Sequence, residues 1–136
     1  MSRRFLLDTG PAFDAMFRRR GVYERIRDKR SQGAKVGICY PVLGEIIAGV
    51  ECSASRDHTW EVVRRSLGQF VHWPFDKKAA HEYGRVYAEL RRIGRPIQQV
   101  DMQIAAVAFT LGNCTVVSND SDLALVPGLV VENWST

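Results

Sequence analysis

Arg4-Phe5-Leu6-Leu7-Asp8-Thr9-Gly10 begins as an apolar run and ends on a carboxylate, a hydroxyl and a glycine. A short apolar run of this kind reads as a buried strand. Its last residue then lies at the strand's carboxyl end, where open α/β sheets place their ligand sites. Asp8 is accordingly either the cap of the helix that follows or the anchor of a site. Pro11, early in the next segment, and Ala12, Phe13, Met16 and Phe17 at helical spacing predict that helix.

The same alternation continues along the chain. Val22, Tyr23 and Ile26 predict a short amphipathic helix, and residues 35–40 a second strand closed by Pro41. Val42, Leu43, Ile46, Ile47 and Val50 then fill an arc of about 140° on a helical wheel, with Glu45 roughly 60° beyond its edge. Glu45 shares its side with the small residues Ala48, Gly49 and Cys52, so it can look into a cleft. Trp60, Val63 and Leu67 predict a further helix, residues 70–74 a short strand, and Asp76 an N-cap. Behind Asp76, Ala79, Ala80, Tyr83, Val86, Tyr87, Leu90 and Ile93 form the longest helical stripe, stopped by Gly94-Arg95-Pro96.

Asp101 opens a helix over residues 101–112 that is apolar nearly all round after its first turn and therefore central. Thr115-Val116-Val117 leads straight into Ser118-Asn119-Asp120-Ser121-Asp122, a second strand-to-carboxylate junction. Residues 129–131 predict the last strand. Strands alternating with helices imply a parallel sheet covered on both faces. With right-handed crossovers, the carboxyl ends of the strands and the helix starts after them share one edge.

Bulk composition narrows the chemistry. The chain has 136 residues, 46% apolar and 25% charged, the balance of one ordinary globular domain. No run approaches the roughly 18 apolar residues of a membrane span. The apolar run behind Met1 is too short for a signal-peptide core, so no membrane association and a cytoplasmic location are expected. Three cysteines and three histidines, none at ligand spacing, argue against zinc and against a Ser-His-Asp triad. The net charge of +4 and two basic clusters, Arg18, Arg19, Arg20, Arg25, Arg27, Lys29 and Arg30 in one segment and Arg85, Arg91, Arg92 and Arg95 in another, suit a phosphate-rich partner.

Asp8, Glu45, Asp101, Asp120 and Asp122 would thus gather at one sheet edge. Crowded carboxylates either take up protons or bind cations. An all-oxygen set selects a hard ion, Mg²⁺ or Mn²⁺, which serves phosphoryl chemistry.

In Phe5-Leu6-Leu7-Asp8-Thr9, Pro41-Val42-Leu43-Gly44-Glu45-Ile46, Asp101-Met102-Gln103-Ile104-Ala105-Ala106 and Ser118-Asn119-Asp120-Ser121-Asp122-Leu123, taken in this order, the chain resembles the PIN domain family. It is most similar to the VapC-type ribonuclease toxins of toxin–antitoxin pairs. The resemblance implies a single PIN-like nuclease domain over residues 1–136, α/β, with a short central parallel sheet flanked by helices on both faces. It also implies a Mg²⁺- or Mn²⁺-dependent endoribonuclease in which activated water attacks phosphorus in line, leaving a 5′-phosphate and a 3′-hydroxyl.

By the same resemblance Asp8, Glu45, Asp101 and Asp120 are catalytic, Asp8, Asp101, Asp120 and Asp122 hold metal, and Thr9 and Ser118 supply supporting hydroxyls. Arg18, Arg19 and Arg20 are candidates for guiding RNA. An RNA substrate, a cognate antitoxin protein and a homodimer are the implied partners. Gly10 and Val100 depart from the residues common in the family, which bears on pocket shape and leaves every carboxylate in place.

Three other readings compete. Leu7-Asp8-Thr9-Gly10 also marks the dimeric aspartic proteases, but those are all-β and this chain carries long helical stripes. A housekeeping PIN-domain RNA-processing nuclease and a non-catalytic PIN-fold RNA-binding module share the fold and differ in role.

Overall fold

The computed structural model describes residues 2–136. Its central strand β1 (Arg4–Leu7) carries Phe5, Leu6 and Leu7 fully buried. Side chains alternate across a strand, so an uninterrupted apolar run means that both faces of the sheet are covered. β1 pairs in parallel with β2 (Lys35–Cys39) on one side and with β4 (Cys114–Val117) on the other. Beyond them lie β3 (Val71–Trp73) and β5 (Val130–Glu132), giving one parallel sheet in the order β3-β2-β1-β4-β5.

The connections are helical. α1 (Thr9–Met16) and α2 (Val22–Ser31) join β1 to β2; α3 (Tyr40–Glu51) and α4 (Arg56–Leu67) join β2 to β3. α5 (Lys77–Arg92) and α6 (Gln99–Leu111) carry the chain back to β4, and a 3-10 turn at Leu123–Leu125 precedes β5. α6 packs on β1, β4 and α5, and its buried Ile104, Ala105, Ala106 and Val107 fill the core as its apolar circumference predicts. Among the described residues no helix is long and apolar enough to cross a membrane.

Two glycines are required by geometry. Gly37 in β2 faces Val71 in β3, where a Cβ would come within 2.3 Å of the Val71 carbonyl oxygen. Gly94 takes φ +70°, the left-handed conformation that turns α5 towards α6.

Three details differ from the sequence reading. Ile47, expected on the buried stripe of α3, is 40% exposed, because α3 buries the narrower line Val42, Ile46 and Val50. Tyr87 and Ile93 at the far end of the α5 stripe are likewise exposed, at 47% and 48%. Tyr40, read as the end of β2, starts α3 instead.

The chain's last residues close the core. Trp134 is almost fully buried, its ring centroid 5.0 Å from that of Phe5, with the Arg25 guanidinium of α2 5.5 Å from it and its Nε1–H donating to Glu132. Thr136 N–H donates to the Arg20 carbonyl, tying the tail to the α1–α2 turn. Trp134→Ala should lower stability by about 3–5 kcal/mol, as large-to-small core changes do. Urea unfolding at unchanged slope measures it; a loss below about 1 kcal/mol would show that the tail is not part of the core.

Candidate active site

Strand order reverses between β1 and β4, since one half of the chain builds outward through β2 and β3 and the other through β5. Such a reversal opens a crevice at the carboxyl ends of the two strands. Leu7 and Val117 are register partners, so Asp8 and Ser118 emerge side by side there.

Asp8 is both things its sequence position allowed. Its Oδ1 accepts from Thr9 N–H at 2.8 Å and caps α1, while its Oδ2 accepts from Ser118 Oγ at 2.8 Å. Its own N–H donates to the Val117 carbonyl, completing the β1–β4 ladder. The Ser118 hydroxyl, having donated to Asp8, accepts from Asp120 N–H at 2.9 Å, and Asp120 Oδ1 accepts from Asp122 N–H at 2.8 Å. Side-chain oxygens bonding the backbone two residues on are the local turns that Ser and Asp favour. One run of hydrogen bonds thereby holds three carboxylates in order.

Glu45 comes from α3, and the Thr9 hydroxyl donates to its Oε1 at 2.5 Å. Asp101, the third residue of α6, is only 7% exposed, and among the described residues its buried Oδ2 has no hydrogen-bond partner. Asp101, Asp120 and Asp122 each present an oxygen, all within 4.8 Å of one another. The five carboxylates and both hydroxyls expected from the sequence meet at this edge. The sequence reading missed the relay through Ser118, although the alternating Ser118, Asp120, Asp122 spacing was its signal.

Crowding and burial show in the proton affinities. Asp101 is pushed up to about 7, first by burial and then by the charges of Asp8, Asp120, Asp122 and Glu45. Asp8 is also raised, mainly by burial; the bonds from Ser118 and Thr9 pull against this, and Glu45 and Asp120 add to it. Burial lifts the Cys39 thiol at the end of β2 to about 12, leaving it protonated and inert. An orphaned buried oxygen beside two further carboxylates fits a hard divalent cation, which would satisfy the oxygen and offset the repulsion.

Arg18, Arg19 and Arg20 are not brought into this group. They follow the far end of α1, an eight-residue helix spanning about 12 Å. The Arg18 guanidinium lies 3.5 Å from the Tyr23 ring centroid, Arg19 covers Phe17, and Arg20 is 3.8 Å from the Asp14 carboxylate.

A family model for the PIN domain matches residues 5–129. The tRNA(fMet)-specific endonuclease VapC of Shigella flexneri is 31% identical over 132 residues, which cover 97% of this chain and 98% of that protein. Among solved structures, DNA-bound VapBC from Salmonella typhimurium is similar with a TM-score of 0.86 and 29% identity, covering 98% of this chain and 99% of that one. VapBC2 from Rickettsia felis, bound to a DNA fragment from their promoter, is similar with a TM-score of 0.88 and 25% identity, over 97% and 99%.

The raised Asp101 makes a pH prediction for the metal-free protein. Between its ordinary value of 3.8 and about 7 the folded state holds a proton that the unfolded state has lost. Stability should therefore fall as pH rises through that window. Asp101→Asn should flatten this slope and raise the metal-free Tm near pH 8, whereas excess Mg²⁺ should raise the Tm of the parent protein alone. Thermal scans in chelator and in Mg²⁺ read both; an equal slope in the variant would remove Asp101 as its source.

Proposed function

The chain belongs to the PIN domain family, and from that premise we propose that it is an endoribonuclease toxin hydrolysing RNA phosphodiesters at an acidic Mg²⁺ or Mn²⁺ site. The observation that carries this reading is the convergence of Asp101, Asp120 and Asp122, each with an oxygen within 4.8 Å of the others, where Asp101 also has a buried oxygen without a hydrogen-bond partner among the described residues. A nuclease activity is supported by the endonuclease that shares 31% of its residues along nearly the whole chain.

Asp101, Asp120 and Asp122 would hold the cation, with Asp8 as a further ligand. A divalent ion there would lower the pKa of water and offset the charge that builds on the phosphate. Ser118 keeps Asp8 turned towards the site, and the start of α1 fixes its other oxygen. Glu45, steadied at Oε1 by Thr9, takes the proton of the attacking water at its other oxygen. The water oxygen bonds to phosphorus, the bond to the 3′ oxygen breaks, and that oxygen takes up a proton from solvent, to which Glu45 returns the one it accepted. The products are a 5′-phosphate and a 3′-hydroxyl.

The toxin role is supported by the likeness to chains of the DNA-bound VapBC assemblies. A cognate antitoxin that covers the acidic edge, and a homodimer, belong to the same proposal. Release from the antitoxin would then be the step that exposes the site.

Purified protein should cleave single-stranded RNA in Mg²⁺ and stop when the metal is chelated. Asp8→Asn and Asp101→Asn should each lower the rate by at least about 100-fold. Thr9→Val and Ser118→Ala, which only release a ligand's orientation, should cost about 10–100-fold. Circular dichroism controls for folding, and undiminished cleavage by either Asp variant overturns the assignment.

A further inference from the structure

A cluster of carboxylates repels the polyanion it is proposed to cut, so RNA must be held by cationic or stacking groups close by. The end of α5 and the turn into α6 offer both. A cavity of about 250 Å³ opens between Tyr87, Leu90, Arg91, Pro96, Ile97 and Met102. That is smaller than the roughly 300–1,000 Å³ of drug-sized ligand sites and suits a single ring system. Met102, which lines the cavity, directly follows Asp101 in α6, so the same helix start serves both the cavity and the acidic site.

The charges around this cavity are unspent. Arg85, earlier in α5, is paired with Glu82 and Glu89. Arg91, Arg92 and Arg95 form no ion pair among the described residues, and all three are exposed. The turn that presents them is fixed: Gly94 is left-handed, Gly94 N–H donates to the Arg91 carbonyl, and Arg95 N–H donates to that of Leu90. Basic residues also suit a helix carboxyl end. That explains Arg91 and Arg92 but not Arg95, the cavity, or Tyr87 and Ile93 left about half exposed.

We propose that this turn is the RNA-holding element: one unpaired base enters the cavity against Tyr87, and the flanking phosphates lie on Arg91, Arg92 and Arg95. The proposal rests on the nuclease reading and adds to it where the substrate is gripped. It also moves the electrostatic contact away from Arg18, Arg19 and Arg20, whose side chains already have aromatic or carboxylate neighbours. An aromatic platform beside a basic groove binds single strands with strong salt dependence.

The test uses the full chain carrying Asp101→Asn, so that RNA stays intact, and a fluorescein-labelled single-stranded RNA of mixed sequence read by anisotropy over a salt series. Tyr87→Ala should weaken binding about 10-fold, and Tyr87→Phe should leave it unchanged. Arg91→Ala with Arg95→Ala should lower the slope of log affinity on log salt by about 0.7 for each arginine. Neutralising Arg18, Arg19 and Arg20 together should change the slope less. Unchanged binding in the Tyr87 and Arg91/Arg95 variants overturns the proposal. So does a larger effect from the Arg18 to Arg20 triplet, or a change in sedimentation mass without one in RNA binding, which would assign the face to a second copy of the chain. Persistent cleavage by Asp101→Asn would instead overturn the catalytic reading, and the anisotropy results still decide the binding face.

Discussion

The bond between Ser118 and Asp8 is the interaction on which the site depends, because it joins the two halves of the chain where the strand order reverses. β1 and β4 are parallel neighbours aligned from Arg4 with Cys114 to Leu7 with Val117. That alignment places a carboxylate and a hydroxyl in contact across 110 residues of sequence. Four of the five carboxylates, all but Asp101, are linked to this pair by hydrogen bonds. Thr9 reaches from the same helix start to Glu45, and the Ser118 hydroxyl orders Asp120, which orders Asp122. A one-residue slip of β4 would turn Ser118 to the other face of the sheet and separate the halves.

A site of this kind works against the fold that builds it. Asp101 is buried among four other carboxylates with one oxygen unpartnered, which costs stability when it is ionised. The surrounding core offsets that cost. α6 buries Ile104 to Ala108 beneath Asp101, and Trp134 seals β1 from another side by packing its ring, tilted by 51°, against Phe5. Strain of this electrostatic kind is what a divalent cation would relieve, so the arrangement that weakens the empty chain is also the one that suits a metal ion.

Much of this was legible in the chain itself. The apolar run Phe5 to Leu7 reads as a strand buried on both sides because it lacks the alternation of a half-exposed one. The carboxylates at strand ends and first helical turns read as one group because right-handed crossovers bring those ends to one edge. Periodicity was less reliable for α3 and α5. Ile47, Tyr87 and Ile93 fit apolar stripes yet are exposed, since a wheel gives the direction of a side chain and not whether another element covers it. Two arginine clusters stand out by density in the sequence, one from Arg18 and one from Arg85 to Arg95, and only the structure separates them. Arg18 to Arg20 have aromatic or carboxylate neighbours, whereas Arg91, Arg92 and Arg95 form no ion pair among the described residues.

The sequence by itself determined the order of strands and helices and which residue types could carry the chemistry. Local propensity and burial patterns act over a few residues at a time, and these features depend on nothing longer. Only the tertiary structure decided which carboxylates share a single ion's reach, why Asp8 is a cap and a site residue at once, and which arginines remain unpaired. Those outcomes are set by the register of β1 against β4 and by the packing of α5 on α6, contacts between segments far apart in the chain. No local pattern encodes the distance between them.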